Sequence, residues 1–406
     1  MATPIRRARV AVLAVCACLS AREAWAQLPD SPYVAGGGRL TLAGEAAAVA
    51  GKRDPDAFFN YTDYDHDAFR TVRLRLFGEW RLPVRLALLG EFRTENQDSA
   101  EAAALYLRWR PWAGRDFDVQ AGRIPPVVGA FARHAYGRDN PLIGTPLAYQ
   151  YLTSLRPDAL PITVDDLLRM RGRGWRPAYP LGAQSLSAGI PLITASHWDT
   201  GLEARVGLNR VELSGAFTRG AAAVPVVRET NDGHSWSGRM AVSLVPGLTV
   251  GLSGQRGQWL ERSVLALVPI DARDRSAQWI VGTDGELGRG RLLVRGEWLR
   301  SAFQIPLTPS GTTLGASAGF LEARYRWHPR WQIAGRADRL SFSRVQGTSQ
   351  GGAALPWDAP VRRVELALGF RPLRNLEARA AWQKDWRDGG RVRRREFPAL
   401  QLLYWF

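Results

Sequence analysis

Cysteine is all but missing from this chain: of 406 residues only Cys16 and Cys18 are cysteines, and both fall in a stretch built like a removable export signal. There Arg6, Arg7 and Arg9 form a basic start, Val10 to Leu19 a short apolar core, and Ala24-Trp25-Ala26 a small-x-small cleavage site ahead of Gln27, so residues 1–26 read as a signal peptide. Acylation at Cys16 or Cys18 is the lipoprotein alternative, but Val15 precedes Cys16, and cleavage before Cys18 would cut the apolar core short. Once the signal leaves, residues 27–406 hold no cysteine, which excludes a disulfide framework and a thiolate metal site.

Long hydrophobic runs are missing too. Beyond the signal no stretch of ~18 apolar residues occurs, so no transmembrane helix is available. The five histidines (His66, His134, His197, His234 and His328) are scattered, with no HExxH and no close pair on one strand, so neither a metal nor any other cofactor is expected. No G-x-S-x-G is present, and Gly36-Gly37-Gly38 lacks a phosphate-loop lysine and is read as leading into the first strand. For catalysis only His234-Ser235 and His197 near Asp199 remain, and either would need partners from other strands, so no catalytic residue is assigned.

What the sequence has in quantity is aromatic residues, glycine and short alternating segments. There are 16 Trp, 14 Phe, 10 Tyr and 41 Gly. Period-two alternation marks strands near 38–50, 69–81, 84–95, 102–111, 116–123, 199–208, 210–219, 235–245, 248–258, 277–287, 291–302, 317–328, 330–342, 361–371, 375–386 and 396–406. Connections alternate between tight and long, with Leu82-Pro83, Trp112 to Arg115, Leu208-Asn209, Pro246-Gly247, Gly288-Arg289-Gly290, Pro329 and Leu373-Arg374 marking the tight ones. That alternation and an even count of about 16 strands describe an all-β, antiparallel up-and-down barrel with both termini on the short-turn side.

The two faces of each strand differ in kind. Leu321, Ala323, Tyr325 and Trp327 alternate with Glu322, Arg324 and Arg326; Val72, Leu74 and Leu76 alternate with Arg73 and Arg75. A charge on a lipid face near the bilayer midplane costs roughly 2–4 kcal/mol, so the charged parity must face an aqueous lumen. A sandwich or propeller would share the alternation but should carry polar residues outward. Trp80, Trp109, Trp327, Trp331 and Trp382 fall near strand ends, where an interfacial aromatic girdle belongs.

The chain ends Leu400, Leu402, Tyr404, Phe406 at every second position, with an aromatic as the terminal residue. This pattern resembles the last strand of Gram-negative outer-membrane β-barrels, and the resemblance implies that Phe406 is presented to the barrel assembly machinery. Residues 124–198, between the fifth and sixth strands, are far longer than an ordinary connection. They hold Phe131, Tyr136, Leu142, Ile143, Tyr149, Tyr151 and Leu152, and Thr163-Val164-Asp165-Asp166 has the form of a helix capping box, so this loop is expected to be ordered. Val119-Gln120-Ala121-Gly122-Arg123, followed by Pro125-Pro126 and Gly129, is similar to the segment ending the fifth strand of porins. Gly282-Thr283-Asp284-Gly285-Glu286-Leu287 with Gly296-Glu297-Trp298 is similar to strand pairs of phosphate-selective and related porins. Resemblance to porins implies a transmembrane barrel over residues 27–406, long loops outside the cell, a third loop (124–198) folded into the lumen as a constriction, and a homotrimer. For that trimer Ala46, Ala47, Ala48 and Ala50 of the first strand would offer a flat contact.

Removal of Arg6, Arg7, Arg9, Arg22 and Glu23 lowers the formal charge of +16 by 3. In this compartment the excess points to anions rather than nucleic acid, for which no partner role is expected. Parity places Arg75, Arg108, Arg324, Arg336 and Arg379 inward near mid-strand, with Glu91 and Glu365 among them. Arg123, Asp165, Asp166, Arg169 and Arg171 complete the expected pore lining from the third loop and its approach. A ring of fixed positive charge would favour small hydrophilic anions at the narrowing. The alternatives are a channel fitted to phosphate, an organic acid or a saccharide, or a barrel enzyme. Arg387, Arg391, Arg393, Arg394 and Arg395 are read as last-loop contacts to lipopolysaccharide phosphates.

Overall fold

The computed structural model describes residues 29–55, 59–62, 66–98, 100–195, 198–226, 230–231, 233–306, 312–348, 352–390 and 392–406. The signal-like residues 1–26, His197 and Arg391 lie outside the described residues. One 17-stranded sheet contains the whole wall, sixteen strands closed on themselves plus the short strand Tyr33–Ala35. In chain order the wall is β1 (Leu40–Gly51), β2 (Val72–Arg81), β3 (Leu86–Glu95), β4 (Glu101–Trp109), β5 (Asp116–Ile124), β6 (Asp199–Leu208), β7 (Val211–Thr218) and β8 (Ser235–Val245). It continues with β9 (Leu248–Gln258), β10 (Ala277–Arg289), β11 (Leu292–Gln304), β12 (Thr313–His328), β13 (Trp331–Phe342), β14 (Val361–Leu373), β15 (Leu376–Arg387) and β16 (Arg394–Trp405). Each pairs antiparallel with its neighbours in sequence, and β1 pairs β16 from Glu45↔Trp405 to Gly51↔Ala399, leaving no edge.

The strand ends move where local geometry dictates. Gly36, Gly37 and Gly38 all have positive φ (59°, 64° and 88°), so they turn the chain back and let Tyr33–Ala35 pair with Leu40–Leu42, rather than leading straight into β1. Val84 and Arg85 take φ of 53° and 61°, the left-handed pair of a tight hairpin, so the turn sits two residues later than Leu82-Pro83 and β3 begins at Leu86. β12 begins four residues before position 317 because Thr313–Ala316 pairs with β11.

Closure finishes on the terminal aromatic. Gly44 and Phe406 exchange backbone hydrogen bonds of 3.1 and 3.0 Å, and a Cβ on Gly44 would stand 2.3 Å from the Phe406 ring. The missing side chain of Gly44 is the space the ring occupies, so the last residue covers bare backbone on the outward face. Outward rows are apolar and exposed (Leu74, Leu105, Leu202, Leu252, Leu321, Leu366, Leu400). Ala46, Ala48 and Ala50 lie on this parity, whereas Ala47 is buried on the inward one, which corrects its inclusion in an outer contact.

Candidate functional site

Residues 124–198 carry a 3-10 turn (Phe131–His134), the helices Leu147–Gln150 and Val164–Arg169, and a two-residue strand pair, Ala159–Leu160 with Leu181–Gly182. Most of the segment is irregular, so its N–H and C=O groups lack a ladder and must be satisfied by side chains where water is excluded. Inward residues of the wall supply them. Glu45 of β1 accepts from the backbone N–H of Gly137 and of Arg138, both at 3.0 Å. Glu365 of β14 accepts from Ile143 and Gly144 at 2.9 and 2.8 Å. Arg379 of β15 donates to the carbonyls of Gly137 (2.8 Å), Asn140 (2.8 Å) and Leu142 (3.3 Å). Arg363 of β14 donates to Thr145 O and Gln150 Oε1 at 2.9 and 2.8 Å. Carboxylates take the donors and guanidiniums the acceptors, each bond strengthened by its charge.

Two tyrosines complete the attachment. Tyr136 Oη donates to Glu91 at 2.8 Å, and Tyr149 Oη donates to Glu297 at 2.7 Å beside the Ala130 N–H, also at 2.7 Å. Burial, reinforced by the adjacent carboxylate, pushes both phenols above their ordinary range, so they remain donors at any physiological pH. His134 is pulled down to about 4, first by burial and then by Arg295, so it adds no positive charge at neutral pH.

Arg336 lies at the centre of a charged row running across three strands. Its side chain is 0% exposed and meets Glu365 at 3.0 Å and Glu322 and Asp338 at 3.3 Å each. The register Glu322↔Arg336↔Glu365 places the acids on both sides of it, and its guanidinium also covers the Phe131 ring at 5.8 Å. Arg363 pairs with Asp385 at 2.7 Å and Arg379 with Glu377 at 2.5 Å. Of the expected ring, Arg336 and Arg379 are therefore compensated. These cations are occupied by carboxylates and by the loop backbone.

The remaining expected site residues separate. Arg75 is buried with its guanidinium over the Tyr136 ring at 5.0 Å and Glu45 opposite in register. Arg108 is the next-to-last residue of β4, near the short turns rather than mid-strand, and pairs with Glu79 at 3.2 Å. Arg123, expected in the pore lining from the approach to the third loop, stands opposite the exposed Leu105 and donates to Trp198 O (3.1 Å) and Ala102 O, bracing strand ends. The capping box forms as expected, with Asp166 taking the Thr163 N–H and hydroxyl at 2.9 Å each. Despite the cost of desolvation, those bonds and the Arg169 ion pair hold the Asp166 carboxyl below its usual range.

That helix belongs to the long loops. Asp165 accepts from the N–H and hydroxyl of Thr348, Arg169 is 67% exposed, and Arg171 donates to Asp388 O (2.9 Å) and Asp358 O (3.4 Å), so Asp165 and Arg171 are tied to other long loops. Asp358 gathers the Ser154 and Gly172 N–H groups at 2.7 Å each, and burial raises its carboxyl above the ordinary range against those bonds. His234 packs on Phe217 at 5.0 Å, while Ser235 Oγ accepts from Gln255 at 2.8 Å, so the two make no nucleophile–base pair.

Arg324, like Arg75, has neither an ion pair nor a hydrogen bond among the described residues, and its Nε is buried without a partner. Its charged neighbours are Arg326, Arg295 and Arg371 with the acid Glu377, all in the half of the wall nearer the short turns. Among the described residues Arg326 has only Gln332 Oε1 at 3.4 Å, whereas Arg295 pairs with Glu286 and Arg371 with Glu377, both at 2.7 Å. Sequence reasoning missed Glu45, Glu297, Arg363 and Glu377. Inward parity marks all four, but nothing local tells a charge that faces water from one that holds a loop.

The fold is a closed, sixteen-stranded antiparallel β-barrel like that of the porins. Among solved structures it is similar to an anion-selective porin from Comamonas acidovorans, with 9% identity, 90% of this chain and 99% of that chain covered and a TM-score of 0.56. Salmonella typhi OmpF, solved in complex with daunomycin, matches at 11% identity over 90% of this chain and 97% of that one, with a TM-score of 0.55. The outer membrane channel DcaP of Acinetobacter baumannii matches at 8% identity, 93% and 100% coverage and a TM-score of 0.53. At these identities the likeness is one of fold. No protein-family model and no curated protein sequence matches the chain.

Proposed function

We propose that the protein is an outer-membrane porin, a water-filled channel for passive diffusion of small hydrophilic solutes with a preference for anions. The observation that carries the reading is the division of faces. Strands closed on themselves, apolar outward and charged inward, are stable with lipid outside and water or polar protein inside. Residues 1–26 would direct export, and the strand ending at Phe406 would be presented to the assembly machinery. The segment 124–198 folds into the lumen and narrows it, a reading supported by its bonds to Glu45, Glu91, Glu297, Glu365 and Arg379 on five strands.

Anion preference is assigned to Arg324 and Arg326, because the compensated cations of the mid-wall contribute little net field. Likeness of fold to a porin described as anion-selective agrees with this. The length of 124–198 supports a second reading, a channel fitted to phosphate, an organic acid or a saccharide, in which the same arginines contact solute directly. In a planar bilayer under a KCl gradient, single channels will reverse at a potential of the sign set by chloride preference. That preference will shrink with added salt, since screening shortens to ~3 Å at 1 M. Arg324→Gln with Arg326→Gln will move the reversal toward cations. A cation-selective wild type overturns the anion preference, and absence of conductance overturns the channel.

The small outward residues Ala46, Ala48 and Ala50 support a homotrimer formed through the outer face of β1. Mass measurement in mild detergent is expected to give the trimer at every protein concentration; a monomer throughout removes it.

A further inference from the structure

On the outward face, near the rim that carries the long loops, Arg339 of β13 and Arg362 of β14 stand directly opposite each other in register. Both are exposed, and neither has an ion pair or hydrogen bond among the described residues. Like charges in this arrangement repel, and the repulsion destabilises a strand pair unless an anion bridges them. The row continues through Trp386 of β15, opposite Arg362, to the exposed Arg394 of β16, opposite Trp386. One step nearer the long loops, exposed Arg300 of β11 lies two strands from Arg339.

The contrast with the inward face of the same strands is informative. There Arg336, Arg363 and Arg379 each have a carboxylate within 3.0 Å. Outside, Glu396 already pairs with Lys384 at 2.6 Å, and among the described residues the exposed Asp388 forms no ion pair with Arg339 or Arg362. Immediately below the arginines the outward row is Leu321, Ala337 and Val364, with exposed Leu366 and Leu368 beneath. A cationic rim thus overlies an apolar wall.

We propose that Arg339 and Arg362, flanked by Trp386, Arg394 and Arg300, bind the phosphomonoester of a glycolipid in the leaflet on the long-loop side. Opposite residues in an antiparallel pair stand ~5 Å apart at Cα, so two planar guanidiniums can share one phosphate with several charge-assisted bonds. Acyl chains then lie along Leu321, Leu366 and Leu368, an arrangement that free phosphate would not use. The assignment rests on the outer-membrane reading and moves glycolipid contact away from the last loop. Arg387 is instead the buried end of β15 and donates to Val392 O at 3.1 Å.

The test is native mass spectrometry of the full-length folded protein in detergent, titrated with bisphosphorylated lipid A, its dephosphorylated form, or inorganic phosphate. Wild type is expected to retain phosphorylated lipid A, and Arg339→Gln with Arg362→Gln to bind it at least about tenfold more weakly. Equal binding by that variant, equal binding of the dephosphorylated lipid, or displacement of the lipid by millimolar inorganic phosphate overturns the proposal. If the double variant does not fold, Arg339→Lys and Arg362→Lys singly keep the charge but lose the planar fork, and unchanged affinity in both overturns it equally. Conductance is recorded on the same preparations. In the wild type, absent lipid binding with an intact channel refutes this site alone, and lipid binding without conductance refutes the channel alone.

Discussion

Replacing Arg336 by methionine will leave Glu322, Asp338 and Glu365 buried around an uncharged side chain, and the barrel will unfold at markedly lower denaturant. Removing one partner from a buried ion network typically costs about 3–5 kcal/mol, because the remaining charges keep their desolvation penalty and lose their attraction. The loss should fall at the upper end here, since one guanidinium serves three acids and Glu365 also holds the Ile143 and Gly144 N–H groups. Unfolding in detergent micelles, followed by tryptophan fluorescence, measures it. Adding Glu322→Gln and Asp338→Asn to Arg336→Met should recover part of the loss. An unchanged midpoint for Arg336→Met would show that water already reaches the network.

Arg379→Ala will loosen the segment 124–198 and enlarge the channel. That guanidinium donates to three carbonyls of residues 137–142 and is the closer partner of Glu377, so its removal leaves buried acceptors unpaired and the segment free to leave the wall. Single-channel conductance should rise about twofold or more, with added open-channel noise, because the narrowest cross-section limits ion flow. Arg379→Lys should restore the quiet state only partly, as an ammonium cannot reproduce the planar fork. Conductance unchanged in Arg379→Ala would mean that the narrowing lies elsewhere.

The barrel itself was legible residue by residue. Leu321 to Trp327 and Val72 to Leu76 declare their two faces because side-chain direction alternates strictly along a strand, and lipid tolerates one kind of residue on its side. The helix start at Thr163 was equally legible, since a capping box closes within a few residues. Turn position was less so: Val84 and Arg85 occupy the left-handed geometry usually given to glycine or asparagine, and nothing in those two residue types announces it.

What only the tertiary structure decided is the role of each inward charge. Parity gives Arg336, Arg379 and Arg324 the same status, yet Arg336 is locked among three carboxylates, Arg379 holds a loop more than two hundred positions away in sequence, and Arg324 has neither kind of partner. Alternation is a local property of the backbone and can be read from a few neighbours. Pairing depends on which chain segment excludes water from which part of the wall, and that is settled when residues 124–198 meet strands β1, β3, β11, β14 and β15.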